Sequence, residues 1–281
     1  MARKTRKNQK KKSNRQKRKP VVSITAATAD KHVLYQQSVQ DADVTQEFVD
    51  EIWASHREDK AMRMREDFCG TALFCAKWVQ SEPGRTAVGI DLDRETLDWG
   101  IEHNINPLSA DAKKISLLCQ DVLDADVSSK FDVIVAFNFS YWVFKERQTL
   151  LQYFKRVREA LDENSVFIMD MHGGPDAQFE MEEPTDMGEF DYVWEQAEFC
   201  PITHNTVCHI HFHFRDGSKL NKAFTYEWRL WTMPELRDIL MEAGFSRIDT
   251  WFDEDDGTDE YAICETTANM EAWVAYLAAW K

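Results

Sequence analysis

The sequence predicts an α/β fold: a doubly wound, seven-stranded, mostly parallel sheet carrying an antiparallel β insertion. Three observations lead there. Between residues 61 and 173 short apolar runs alternate with segments of helical period, the pattern of strands that cross over through helices to parallel neighbours. One run, FDVIVAFNF (131–139), is nearly continuous in apolar residues, as a strand buried on both faces must be. After Gly174 the period changes from helical to two-residue alternation, which is the mark of antiparallel strands with one covered face.

The elements follow in order. Residues 1–22 form a basic tail without hydrophobic periodicity, expected to be disordered. Residues 23–60 carry Val33, Leu34, Val44, Phe48, Val49, Ile52 and Trp53 at three- and four-residue spacings, which predicts one or two amphipathic cap helices. The main domain is expected over 61–281, with its β insertion at about 175–232. Its strands are read at 61–66, 86–93, 115–122, 131–139 and 165–173, and its helices at Leu73–Val79, Arg94–Asn104 and Gln148–Leu161. The insertion reads as Tyr192–Glu198, Thr206–Phe214 and Ala223–Trp231, with an Asp216-Gly217-Ser218 turn between the last two. A helix follows, with Thr232 as N-cap, Pro234 in its first turn and Gly244 as its stop. Residues 246–253 then read as a strand, and 271–280 fit either a strand or a helix.

Composition narrows the function. The 281 residues are 43% hydrophobic, enough for one large domain or two small ones and too much for a disordered chain. No run of eighteen uncharged apolar residues occurs, and the first twenty residues lack the apolar middle of a signal peptide, which disfavours secretion and membrane spanning. Six scattered cysteines without a CxxC pair read as reduced thiols of a cytoplasmic protein, with no metal site. The net charge of −15 hides two opposite pieces: eleven of the 34 basic residues lie in the first twenty, leaving 23 against 49 acids, a net of −26, in the rest. Such a body repels phosphate backbones, so a small neutral or cationic substrate fits better than nucleic acid. The tail is a solubilising arm or, alternatively, a tether to RNA, ribosome or anionic membrane; weak nucleic-acid contact is expected of residues 1–20 alone.

Ligands of an open parallel sheet bind outside the carboxyl ends of its strands. After the first strand stands Glu66-Asp67-Phe68-Cys69-Gly70-Thr71-Ala72, in which Gly70 permits a tight turn and small Ala72 lets the next helix come close. After the second stand Asp91 and Leu92, and an acid there can accept from both hydroxyls of a ribose. After the third comes Gln120-Asp121-Val122, a carboxylate for an adenine amino group with Val122 or Leu123 against the ring. Each acid has a plainer reading as a helix cap or turn residue, but the three appear in register.

This order resembles that of the class I S-adenosylmethionine-dependent methyltransferases, over roughly Ala61 to the C-terminus. Their acidic residue followed by GxGxG is matched by Glu66 and Phe68-Cys69-Gly70-Thr71-Ala72, with two of three glycines replaced. The loss argues against a nicotinamide or flavin enzyme, whose pyrophosphate needs those glycines. REDFCGTA, FNFSYWVF and FTYEWRLWTMPEL are similar to a bacterial branch of that superfamily whose members are known as methyltransferases by assignment only. The resemblance implies a Rossmann-like methyltransferase fold with S-adenosyl-L-methionine as cofactor, Gly70 on its methionine part, Asp91 on the ribose and Asp121 on the adenine. The full donor set it implies is Glu66, Phe68, Gly70, Thr71, Asp91, Leu92, Gln120, Asp121, Val122 and Asn138.

The ends of the fourth and fifth strands then flank the transferable methyl. Methyl transfer is an in-line displacement governed by positioning, and a base is needed only for a protonated acceptor. His172 is the first candidate base and Tyr141 the second, with a wall residue as the plainer reading of His172. His209, His211 and His213 share one strand face, read as a solvated outer face rather than a chelate. The aromatic residues of the insertion are expected to be mostly structural, a few of them roofing an acceptor pocket in which Glu195 and Glu227 favour a cationic or amine acceptor. The expected function is methyl transfer to a small-molecule amine, thiol or hydroxyl. The alternatives are an enzyme directed by its tail to RNA or ribosomal protein, and a catalytically silent donor-binding module.

Overall fold

The structure, a computed structural model, describes residues 24–125, 129–253 and 260–281; the basic tail lies outside the described residues. Two helices come first, α1 (Lys31–Val39) and α2 (Ala42–Ala54), each begun by an aspartate, Asp30 and Asp41, whose carboxylate accepts free amides of the first turn. Five strands and three helices alternate next: β1 (Arg63–Asp67), α3 (Leu73–Ser81), β2 (Thr86–Asp91), α4 (Arg94–Gly100), β3 (Ile115–Cys119), β4 (Phe131–Ala136), α5 (Arg147–Ala160) and β5 (Leu161–Gly173). The helix read at 94–104 is a straight α4 that loosens into a π turn at Ile101–Ile105 and a 3₁₀ segment at Asn106–Lys114.

The insertion contains four strands, β6 (Met181–Asp186), β7 (Phe190–Phe199), β8 (Asn205–Phe214) and β9 (Lys219–Arg229), in one antiparallel sheet of that order. Sequence reasoning missed β6. It is an exposed edge strand interrupted by Pro184, which carries no apolar alternation and is tolerated only because one of its sides is unpaired. The chain closes with α6 (Met233–Ala243), β10 (Arg247–Phe252), β11 (Ala262–Ile263) and β12 (Trp273–Trp280). Thr232 and Glu235 form a reciprocal capping box at the start of α6, and Gly244 ends it in the left-handed conformation. Residues 273–280, ambiguous in sequence, are a strand, because they fill the gap between β5 and β10 and pair antiparallel with both.

The main sheet has the order β11-β10-β12-β5-β4-β1-β2-β3. Among the described residues it has eight strands where seven were expected, because the two-residue β11 adds to the edge of β10. Strands β1 to β5 run parallel, β12 runs against them, and β10 is parallel to the five. One face is covered by α5 and α6 around Leu150, Phe154, Val157, Leu236 and Leu240. The other is covered by α2 and α3 around Ile52, Trp53, Phe74 and Trp78. Order reverses between β1 and β4, so the crevice at their carboxyl ends is the topological switch point. Helix α1 closes that crevice against the insertion: Gln36 donates to Thr71 Oγ1 at 2.8 Å, while the Tyr35 ring lies 5.0 Å from that of Phe224 on β9.

Candidate active site

Alternate residues of β1 leave on opposite faces, and its last three are charged. Arg65 and Asp67 go toward α5, where they form a fully buried two-point ion pair at 2.6 and 2.9 Å, and Tyr153 donates its hydroxyl to Asp67 at 2.8 Å. Glu66 goes toward α3 and accepts the Cys75 amide at 3.1 Å. Burial pushes its carboxyl up to about 7, against the Cys75 hydrogen bonds that pull it down.

The loop after β1 keeps the backbone of a glycine-rich turn without its glycines. Phe68, Gly70 and Ala72 have φ of 58°, 52° and 54°, so the three positions matched to the glycines of the motif are all left-handed. A left-handed residue with a Cβ costs about 1–2 kcal/mol. The Phe68 ring offsets part of this by packing at 5.9 Å from Phe144 and 5.8 Å from Tyr153. At Gly70 a Cβ would meet nothing within 4 Å. Asp91 holds this loop: one oxygen accepts the Gly70 amide at 2.8 Å and the other the Asp93 amide at 2.9 Å. Each oxygen keeps a further lone pair for a hydroxyl. Burial raises the Asp91 carboxyl above the usual range.

At the end of β4 the chain makes a second left-handed turn, with Asn138 at φ 56° and Phe139 at φ 57°. Asp170 of β5 holds it, accepting the Asn138 and Phe139 amides at 2.7 and 2.8 Å. Burial pushes the Asp170 carboxyl up to about 7 in spite of those two donors. Two cavities meet at this turn. The smaller, of about 100 Å³, is lined by Glu66, Phe74, Asn138, Asp170 and, from the α1–α2 connection, Val39 and Gln40. The larger, of about 510 Å³, lies between the carboxyl edge of the main sheet and the inner face of the insertion, and shares Val39 and Asn138 with the smaller.

His172 lines the larger cavity, its ring between Phe139 at 4.8 Å and Trp142 at 4.7 Å. Burial among these rings lowers it to about 4, so it is neutral at neutral pH. Tyr141, the second candidate base, does not reach the cavity: it is 0% exposed and its hydroxyl donates to the Asp170 carbonyl at 2.9 Å. Burial drives its phenol further up, away from any proton transfer, so its role is to brace β5.

Of the residues expected on the donor, Glu66 and Asn138 line the smaller cavity; in the loop after β1 Gly70 is held by Asp91 and Thr71 by Gln36 of α1, while Phe68 packs on Phe144 and Tyr153. Leu92 is 68% exposed and lines neither cavity. Gln120 is exposed, Asp121 closes a turn on the Leu123 amide at 2.9 Å, and Val122 is buried in the core with Ile90. For Val122 the structure corrects the expectation, and Leu123, half-buried beside it, is the residue left with a free side.

Two further expectations change. His209 and His211 are 5% and 8% exposed and not solvated. His211 accepts the Lys222 amide on Nδ1 at 3.1 Å and so donates from Nε2 to Glu195 at 2.8 Å, while His209 pairs with Thr225 at 3.0 Å. Only His213 of the three is half-exposed, and among the described residues no cluster of three or more His, Cys, Asp or Glu is placed to hold a metal. Glu195 and Glu227 are not in the cavity: neighbours of Trp194 and Trp228 in sequence, they point to the opposite face, where Glu227 meets Lys145. Among the described residues the acids that do line the cavity are Asp176, Glu183 and Asp253. Sequence reasoning missed these three and Tyr35. It placed Asp170 at the fifth-strand end without giving it a role, although a lone acid inside the apolar run VFIMDM was a signal of one.

Residues 67–168 match the family model described as a methyltransferase domain. That segment runs from the end of β1 into β5 and contains the Gly70 loop, Asp91 and the Asn138 turn, so the chain carries a methyltransferase domain and is an enzyme. No curated protein matches the chain in sequence. Among solved structures it is similar to an S-adenosylmethionine-dependent methyltransferase from Clostridium acetobutylicum, at 19% identity and a TM-score of 0.65 over 88% of this chain and 97% of that one. It is also similar to CalS10, an amino pentose methyltransferase from Micromonospora echinaspora, at 12% identity and 0.61 over 87% and 95%. KedS8, a sugar N-methyltransferase from Streptoalloteichus, aligns at 14% identity and 0.60 over 96% and 98%. Likeness at these identities establishes the shared α/β fold, including its antiparallel sheet.

Proposed function

We propose that the protein transfers a methyl group from S-adenosylmethionine to a small-molecule acceptor held in the 510 Å³ cavity. The observation that carries this reading is the meeting of two cavities at Asn138, one at the switch point and one under the insertion. The residues of the crevice fit the donor: Gly70 leaves open space beside its Cα, Asp91 has lone pairs for ribose hydroxyls, and Glu66 offers a carboxyl. When bound, the donor supplies an electrophilic methyl on a sulfonium sulfur. The chain supplies position. Asp170 fixes the Asn138–Phe139 turn where the two ligands meet, Val39 at the end of α1 borders both cavities, and the aromatic insertion walls the larger. His172, neutral and facing the cavity, offers a ring nitrogen to orient a nucleophile by hydrogen bonding.

Support for an amine acceptor comes from the wall acids and from two of the similar structures, an amino pentose methyltransferase and a sugar N-methyltransferase. The test is titration calorimetry with S-adenosylmethionine, followed by a panel of amines, thiols and hydroxy compounds assayed for release of S-adenosylhomocysteine. Donor binding with turnover on a free small acceptor is the expected result. No donor binding would overturn the proposal.

A further inference from the structure

We propose that the inner face of the insertion is a recognition site for an organic ammonium group other than the reacting atom, so that the acceptor is a small organic cation with an ammonium handle. The inference rests on the methyltransferase reading only for what lies at the other end of the cavity. Four observations support it. Among the described residues the lining contains no lysine or arginine, but contains three carboxylates. Trp194, Tyr226 and Trp228 form a continuous aromatic surface, with Tyr226 and Trp228 stacked at 4.3 Å and Trp194 at 6.2 and 6.3 Å from them. Glu183 of β6 is the register partner of Trp194, so the carboxylate stands on the same face as the rings. Among the described residues no cation pairs with Glu183, unlike Asp186 and Asp191 of the same sheet, which share Arg215.

Aromatic faces beside a carboxylate bind alkylated ammonium ions through the ring quadrupole and one counter-charge. A carboxylate alone would take any cation, and rings alone would take any apolar group; the pair selects organic cations. The net −26 of residues 21–281 adds a long-range pull in the same direction. The handle and the nucleophile must be different groups. A site that stabilises positive charge keeps an amine protonated, and a protonated amine has no lone pair to attack a methyl group. The nucleophile therefore belongs at the Asn138 and His172 end, where the histidine carries no charge to repel the approaching cation.

The probe is choline, compared with its neutral carbon isostere 3,3-dimethylbutan-1-ol, titrated into the full chain at constant ionic strength and read by tryptophan fluorescence and calorimetry. Choline should bind about tenfold more tightly than the isostere. Glu183→Gln and Trp194→Leu should each remove most of that preference. Equal affinity of the wild-type protein for the two probes would overturn the proposal whatever the variants do, as would a preference that survives both substitutions. A parallel titration with S-adenosylmethionine separates the two readings. Donor binding without ammonium preference sinks the handle alone, and ammonium preference without donor binding sinks the methyltransferase reading alone.

Discussion

Asp170 links the site to the stability of the fold through a proton. Its carboxyl titrates near 7 in the folded chain against an ordinary 3.8. Between those values the folded state keeps a proton that the unfolded state has lost, so stability falls as pH rises through the window and the loss is complete above about 7. While both conditions hold, the slope is about 1.4 kcal/mol per pH unit, and the whole window amounts to about 4 kcal/mol. Glu66, raised from 4.5 to about 7, contributes a second fall of the same sign. Asp170→Asn removes the Asp170 share. It also turns an amide NH₂ toward one of the two backbone donors, a cost of about 1–3 kcal/mol that does not vary with pH. The assay is urea unfolding of both proteins at intervals from pH 5 to 6.5. Every other titration, including the growing self-repulsion of the acidic body, is common to the two, so it cancels in the difference. Wild-type stability minus that of the variant should decline by about 2 kcal/mol across the interval. A constant difference would show that the amides of Asn138 and Phe139 keep the carboxylate ionised throughout, and would refute the assignment of burial as the dominant influence.

Other outcomes follow from the same geometry. Asp91→Ala should weaken S-adenosylmethionine binding roughly tenfold to a hundredfold by calorimetry, since it strips the Gly70 amide of its partner as well as any ribose hydroxyl. Tyr141→Phe should lower unfolding free energy by about 1 kcal/mol while turnover stays near wild type, because the hydroxyl only braces the Asp170 carbonyl. His172→Gln should slow turnover without changing the shape of the rate profile between pH 6 and 9, because the wild-type ring is already neutral there. An acidic limb near 6.5 that disappears in the variant would contradict the low pKa.

The doubly wound body was legible because burial on both faces leaves a direct trace in the sequence: Val133–Ala136 and Val166–Met169 are apolar without alternation, and each is a strand of the sheet interior. The hairpin at Asp216-Gly217 was legible for a similar reason, since the turn requires a positive φ, observed at Gly217. Chemistry at the cavity was less so. Which face of β7 and β9 turns inward depends on a partner absent from the local sequence, yet one rule was available: Trp194 and Glu195 are adjacent on a strand and cannot share a face. Of the acids that line the cavity, Glu183 sits on an edge strand with no periodic signal, and only the β6–β7 register brings it opposite Trp194. The histidine row was misread because alternation fixes a common face but not its exposure. Glu195 and Thr225 from neighbouring strands cover His211 and His209.

The sequence also shows an irregular glycine motif where the structure shows a regular left-handed backbone at Phe68, Gly70 and Ala72. Phe68 and Ala72 adopt the left-handed turn with side chains that the protein itself absorbs, one against Phe144 and Tyr153 and the other fully buried. Gly70 adopts the same turn but its missing Cβ would project into open space. Packing within the described residues therefore leaves room for a side chain there. Gly70→Ala should cost the free protein only the backbone penalty, about 1–2 kcal/mol, with no steric addition, while donor affinity falls by tenfold or more because the new methyl enters the space a ligand uses. Unfolding curves and donor titration on the same preparation separate the two effects. If the variant lost stability but bound S-adenosylmethionine as the wild type does, the open space at Gly70 would not belong to the donor site. The register of the loop, rather than its ligand, would then have kept that one glycine.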